Sequence, residues 1–273
     1  ASAIPGRIML ADISSDAETQ QQQNVLCSIA PDGKRTFCGE YIKIYAANSE
    51  EISSIIIQNI VPDVPVYVWI PENLDMETDF PWLITSTDYI IINRYLDKYA
   101  VNRYNIVDLS WLRLQKWLQT IAKEFDNQIS LSVLPELSEI RLLSYNKSDN
   151  NSISAKLLAG WLVYCLKEFF PQTEKTSFGI LLKSKDNNEK IDIKIDNIDS
   201  IDAIEFRFRS GKSLNISQNG MILHTESIPA GYFHVLADVN LDTDAEILIN
   251  EINSQFSSSL YKIILQITKD LHI

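Results

Sequence analysis

Beyond Pro171 the chain switches to strict two-residue alternation, and that switch constrains its fold more than any other feature. Ile191, Ile193 and Ile195 alternate with Asp192 and Lys194, and Ile204, Phe206 and Phe208 with Glu205, Arg207 and Arg209. Successive side chains of a strand point to opposite faces, so the pattern predicts strands buried on one face and wet on the other, as in an antiparallel sheet. Ser210-Gly211 and Asn219-Gly220 supply hairpin turns, Asn-Gly being the strongest short-range hairpin signal. Thr243-Asp244-Ala245-Glu246 reads as a capping box opening a helical segment that runs toward Leu271, interrupted near Ser257 to Ser259.

Upstream the pattern differs. Arg7 to Ile13 and Asn24 to Ala30 read as strands around a solvated loop containing Gln20 to Gln23, and Pro31-Asp32-Gly33-Lys34 reads as a turn. Glu40 to Tyr45 alternates like a half-buried strand, and a helix capped by Ser49 carries Ile52, Ile55, Ile56 and Ile60. The apolar runs Val64 to Ile70 and Tyr89 to Asn93 read as buried strands. A helix capped by Asp108 or Ser110 follows, with Trp111, Leu114, Leu118, Ile121 and Phe125 on one stripe and Arg113, Lys116 and Lys123 largely off it. Another helix, Ile153 to Phe170, carries Leu158, Trp161, Leu162, Cys165, Leu166 and Phe169 on a wide apolar arc that implies deep burial. With the polar stretch Asn146 to Asn151 as the junction, the expectation is an α/β N-terminal domain with a mixed sheet at residues 1–150. An α+β C-terminal domain with an antiparallel sheet is expected at residues 151–273.

The chemistry readable from the chain is mostly exclusion. Lys plus Arg number 24 against 36 Asp plus Glu, a formal charge of −12. Such a balance opposes nucleic acid and anionic membranes, which are bound chiefly through Lys and Arg. No GxGxxG or Walker loop occurs among only eight glycines, and no GxSxG elbow anchors a hydrolase triad. The three histidines, His224, His234 and His272, carry no metal-ligand pattern, and no CxxC pair exists among Cys27, Cys38 and Cys165. No metal and no cofactor is expected. The opening Ala1-Ser2-Ala3-Ile4-Pro5 lacks the charged start and apolar core of a signal peptide, so a cytoplasmic location is expected. Asp63, Glu72, Asp75, Glu77 and Asp79 cluster near the end of the Trp69 strand, where open α/β sheets bind ligands.

Five segments, in order, resemble one family. They are Pro5-Gly6-Arg7-Ile8, Cys38-Gly39-Glu40-Tyr41-Ile42, Val61-Pro62-Asp63-Val64-Pro65-Val66-Tyr67-Val68-Trp69, Leu109-Ser110-Trp111-Leu112-Arg113-Leu114 with Trp117, and Leu157-Leu158-Ala159-Gly160-Trp161-Leu162. Together they are similar to the glucose-6-phosphate dehydrogenase assembly proteins, OpcA. The resemblance implies a non-catalytic factor of the oxidative pentose phosphate pathway. It would bind glucose-6-phosphate dehydrogenase as an assembly factor or allosteric activator, promote its active oligomer and, in cyanobacterial members, link it to thiol redox state. Two rival readings are a small-molecule-binding regulatory module and an enzyme with a carboxylate site near Glu72 and Asp79.

Under the family reading Arg113, Trp117, Asp63 and Lys116 are the candidates for partner contact, while Trp69, Trp111 and Trp161 are expected in the core. Trp117 falls about 240° around a helix from Trp111, and Arg and Trp are enriched at interface hot spots. Cys27 and Cys38, flanking the Pro31-Asp32-Gly33 turn, are the candidate redox pair, whereas Cys165 is expected to be buried and inert.

Overall fold

β-Branched residues at alternate positions settle the backbone before anything else does. The structure is a computed structural model; it describes residues 6–13, 20–29, 35–46, 48–60, 66–69, 85–92, 105–126, 128–143, 153–176, 179–184, 189–195, 201–229, 238–254 and 259–270. It divides into two compact units, Ala1–Ile91 and Ile92–Ile273.

In the first unit, strands β1 (Gly6–Ile13), β2 (Gln20–Ile29) and β3 (Arg35–Ala46) form a sheet in the order β1-β3-β2, with β1 parallel and β2 antiparallel to β3. Ile42 and Ile44 of β3 are fully buried, while Lys43 and Tyr45, which alternate with them, are half-buried. Helix α1 (Ser49–Asn59) packs on β3 and β1 and contributes buried Ile52 and Ile56. Its cap is Asn48, whose Oδ1 accepts from the Glu51 N–H at 3.0 Å, one residue before the expected Ser49. Glu50 and Glu51 in the first turn suit the positive end of the helix dipole. Strand β4 (Tyr67–Trp69) pairs in parallel with β5 (Tyr89–Ile92), and the Tyr67 and Tyr89 rings stack at 4.6 Å.

In the second unit, β6 (Asn105–Asp108) leads directly into α2 (Leu109–Glu124). The short α3 (Gln128–Val133) and a 3-10 turn (Leu134–Glu136) connect to β7 (Leu137–Leu143). Then come α4 (Ile153–Leu166), β8 (Gln172–Thr176), β9 (Gly179–Lys183), β10 (Lys190–Ile195), β11 (Ala203–Phe208), β12 (Ser213–Asn219), β13 (Ile222–Ile228) and β14 (Val239–Asn240). Helices α5 (Asp244–Ser254) and α6 (Ser259–Asp270) end it.

Eight strands form one mixed sheet in the order β14-β13-β12-β11-β7-β10-β9-β8, in which β7 and β10 run parallel and the other pairs antiparallel. One face holds Ile140, Leu142, Ile180, Leu182, Ile191, Ile193, Ile204, Phe206, Leu214, Ile216 and Leu223, each no more than 2% exposed. Burying one such side chain stabilises by roughly 1.5–3 kcal/mol. Helix α4 packs against β10, α2 and α6, and Phe125 at the end of α2 meets Phe206 edge-on at 5.4 Å. Gly160 makes the α4–α6 contact close: a Cβ there would lie 2.5 Å from Thr268 Oγ1.

Several expectations are corrected. Gln20 to Gln23 belong to β2 and are not a loop; pairing with Tyr45 to Ile42 of β3 imposes the strand, and the described side chains of Gln21 to Gln23 are exposed. Trp69 is 57% exposed, because β4 is only three residues long and buries neither face there fully. Helix α4 stops at Leu166, so Phe169 falls beyond it and is exposed while Phe170 takes the buried place; Cys165, still within α4, is exposed on the helix surface. The C-terminal sheet is mixed because it recruits β7 from before residue 150. That expected junction lies outside the described residues, and the strands on either side of it, β7 and β10, are neighbours in one sheet. The Pro31 to Lys34 turn also lies outside the described residues.

Candidate partner-binding surfaces

Helix α2 is anchored by its cap, Asp108. The Asp108 Oδ1 accepts from the Ser110 N–H at 2.8 Å and its Oδ2 accepts from the Tyr261 hydroxyl of α6 at 2.8 Å. Both residues are buried, and the Trp111 and Tyr261 rings lie 5.9 Å apart. Burial raises the Asp108 pKa above its ordinary value, against the hydrogen bonds from Tyr261 and Ser110. Burial, then the Asp108 carboxylate, raises that of Tyr261 as well. Trp117 is 4% exposed and belongs to the core with Trp111 and Trp161, because α2 is buried on an arc far wider than one stripe.

Arg113 and Lys116 stand at the surface of α2, and both face acids at the start of α5. Arg113 Nε and Nη2 donate to Asp244 Oδ1 and Oδ2 at 2.8 and 2.7 Å, a bidentate pair, and Lys116 Nζ lies 3.4 Å from Asp242. The expected capping box exists: Thr243 N–H donates to Glu246 Oε2 at 2.8 Å, and Glu246 N–H to Thr243 Oγ1 at 3.3 Å. Hydrogen bonds from Arg113 hold Asp244 below the usual carboxylate range, while burial pushes Glu251 further along α5 up to about 6. A double-mutant cycle of Arg113→Ala and Asp244→Ala, read by urea unfolding, should give a coupling of about 0.5–1 kcal/mol, since both groups are partly exposed. Asp244 has a depressed folded pKa, so that coupling is present near pH 7 and is lost as pH falls below about 4. It should also shrink in high salt. A coupling unchanged at pH 3 would rule out the ion pair as its origin.

The other face of the large sheet is wet and charged. Register aligns Arg141, Glu205, Asn215 and Glu226 in one row across four strands. The rows beside it hold Glu139, Arg207, Ser213 and Ile228, and Leu143, Ala203, Ser217 and His224. Glu139 is the hub: Arg141 Nε donates to it at 2.8 Å, Arg207 Nη1 at 3.3 Å, and Lys194 Nζ also donates. Burial opposes its charge, but the hydrogen bonds from Lys194 and Arg141 hold Glu139 below the usual range. Arg207 Nε pairs with Glu205 at 2.8 Å. Beside this network lies a depression of about 270 Å³ lined by Leu143, Ala203, Glu205, Ser213, Asn215, Glu226 and Ile228. His224 Nδ1 lies 2.6 Å from Asp238 Oδ1 at the surface.

Asp63, Glu72 and Asp79 lie outside the described residues. The backbone register places Cys27 directly opposite Cys38 across β2 and β3. Cys165 is exposed, not buried as expected, yet desolvation of its sulfur pushes the thiol up to about 11, so it is a poor nucleophile at neutral pH. Among the described residues no group of three or more His, Cys, Asp and Glu side chains could hold a metal ion, and no helix is long and apolar enough to cross a membrane. Sequence reading missed the Glu139 hub, although Leu137-Ser138-Glu139-Ile140-Arg141-Leu142 carries the period-two signal that marks its strand.

Residues 1–98 match the family model described as the glucose-6-phosphate dehydrogenase subunit N-terminal domain, and residues 104–265 match that of its C-terminal domain. A protein of Synechocystis sp., provisionally named OxPP cycle protein OpcA, is 28% identical over 162 residues, covering 54% of this chain and 34% of the relative. The match thus spans about a third of that relative's length.

Proposed function

This chain belongs to the OpcA family of glucose-6-phosphate dehydrogenase subunits, and on that premise we propose that it binds the dehydrogenase and favours its active oligomer without itself transferring hydride. The carrying observation is that both domain models match, in order, over nearly the whole chain. A regulator of this kind acts only through differential affinity. Moving an oligomer from about 1:99 to 99:1 active requires roughly 10⁴-fold tighter binding to the active form, about 5.5 kcal/mol. The work belongs to the cytoplasmic oxidative pentose phosphate pathway. Arg113 and Lys116, whose present partners are surface carboxylates, are proposed contact residues; they can exchange those partners for acids on the dehydrogenase at little net cost.

Redox control would fall to Cys27 and Cys38. Directly opposed residues of an antiparallel pair have Cβ atoms about 4.5–5.5 Å apart, close to the 3.5–4.5 Å that a disulfide spans.

The test mixes the purified chain with the dehydrogenase of the same organism, followed by gel filtration and NADP reduction. A complex is expected, with a faster dehydrogenase rate and no reduction by the chain alone. Absence of both complex and rate change, with the thiols reduced or oxidised, would end this reading. NADP reduction by the chain alone would favour an enzyme.

A further inference from the structure

We infer that the depression on the wet face of the large sheet is a seat for a basic side chain, an arginine or a lysine, presented by a protein partner. The identification of that partner with the dehydrogenase rests on the function proposed above; the chemistry of the seat does not.

The depression follows from side-chain size. Ala203, Ser213 and Asn215 are small residues on neighbouring strands, and around them stand Leu143, Ile228, Glu205 and Glu226. Of its polar lining only Glu205 is engaged among the described residues, by Arg207. The side chains of Ser213, Asn215 and Glu226 make no hydrogen bond or ion pair to any described residue, whereas the neighbouring charges are knit together around Glu139 and Glu205. The concavity therefore offers a carboxylate, an amide and a hydroxyl to an occupant, beside the apolar walls of Leu143 and Ile228. Ile228 is 58% exposed, so its side chain is open to an occupant of the depression.

Charge decides the sign of that occupant. Acids and bases balance over the face as a whole, but the depression itself is lined by two carboxylates, Glu205 and Glu226, and by no basic residue, and the chain carries −12 overall, so an anion is repelled. A metal ion fits poorly. Glu205 and Glu226 are two strand spacings apart, roughly 9–10 Å at the backbone, whereas calcium draws six or more oxygens to within about 2.6 Å. A long basic side chain suits all of it: its methylene stem covers Leu143 and Ile228 while its head meets Glu226 and Asn215. The fork of an arginine can reach a carboxylate and an amide oxygen together, which favours it over lysine.

Two measurements test the seat and its use separately. The isolated full chain is titrated with acetyl-arginine-amide, and amide shifts are followed by NMR. Saturable shifts confined to residues 203–205, 213–217 and 224–228 are expected, with affinity on the order of millimolar for so small a probe. Acetyl-glutamine-amide should give none, and Glu226→Lys should abolish the response. Absence of the shifts, or equal shifts with the neutral probe, overturns the seat.

In the second measurement, dehydrogenase affinity is compared for wild type, Glu226→Lys and the control Glu168→Lys, which makes the same charge change at an exposed turn. The first variant should bind about tenfold more weakly and the control within about twofold. Equal weakening in both variants, or none in either, removes the dehydrogenase as the occupant. A wild-type chain that shows the shifts but binds no dehydrogenase keeps the seat and defeats the function proposed above. Both substituted residues are exposed, and far-UV circular dichroism verifies that the variants fold.

Discussion

Replacing Gly179 with alanine should cost the second unit about 3–5 kcal/mol, the largest effect of an added methyl group among the glycines whose surroundings are described. Gly179 opens β9 with φ +153°, a backbone conformation that L side chains rarely adopt. It sits between two strands, paired with Thr176 of β8 and Lys194 of β10. A Cβ at this position would stand 1.9 Å from the Ile193 carbonyl oxygen and 3.0 Å from its carbon. Those are backbone atoms of a central strand whose Ile191 and Ile193 are fully buried, so neither side can yield without disturbing the core. Gly220 and Gly211 supply the control. Their φ values are +61° and +80°, yet nothing lies within 4 Å of an added Cβ. Gly220→Ala and Gly211→Ala should therefore carry only the conformational cost, about 1–2 kcal/mol. Urea midpoints of the three variants decide the matter. If Gly179→Ala unfolds no earlier than Gly220→Ala, close approach is not what the glycine provides.

The contrast between these glycines also shows which parts of the fold could be read from the chain. Asn219-Gly220 announces its own turn, and the structure places one there with the expected positive φ. Thr243 and Glu246 likewise satisfy each other within four residues, and the alternation of Ile191 and Ile193 reports their burial directly. These signals are local, so local sequence carries them. Gln20 to Gln23 look like a loop by composition, but a strand is defined by its neighbour, and β3 supplies the ladder that the glutamines complete. Trp69 shows the converse: an apolar run names a strand without saying whether its last residue will be covered. The candidate surfaces were legible only in part. Arg113 and Lys116 fall off the apolar stripe of α2 as expected, but nothing nearby in sequence reveals Asp244, 131 positions away. The Glu139 hub draws Lys194 and Arg207 from 55 and 68 residues away, a meeting set by the strand order β11-β7-β10.

Asp108→Ala should destabilise the second unit by about 2–4 kcal/mol, the largest effect expected of a polar residue. The change removes a helix cap, worth about 0.5–2 kcal/mol, and strands the buried Tyr261 hydroxyl without an acceptor, at about 1–3 kcal/mol. Tyr261→Phe removes only the second interaction and should cost about 1–2 kcal/mol; the cycle between the two should show coupling of about 1 kcal/mol or more. Asp108→Asn keeps an oxygen for the Ser110 N–H and should lie within about 1 kcal/mol of wild type at pH 7. The pH dependence then separates capping from charge. Burial raises the folded pKa of Asp108 above its ordinary 3.8, so the native state binds its proton more tightly than the unfolded chain. The resulting stability is fully present below about pH 4 and declines as pH rises through the folded value. Wild type should therefore gain on Asp108→Asn as pH is lowered from 7 toward 4, because asparagine has no proton to gain. A difference between the two that stays flat over that range, or that favours asparagine at low pH, would mean that Asp108 keeps an ordinary or depressed pKa in the fold. The Tyr261 and Ser110 hydrogen bonds would then outweigh its burial.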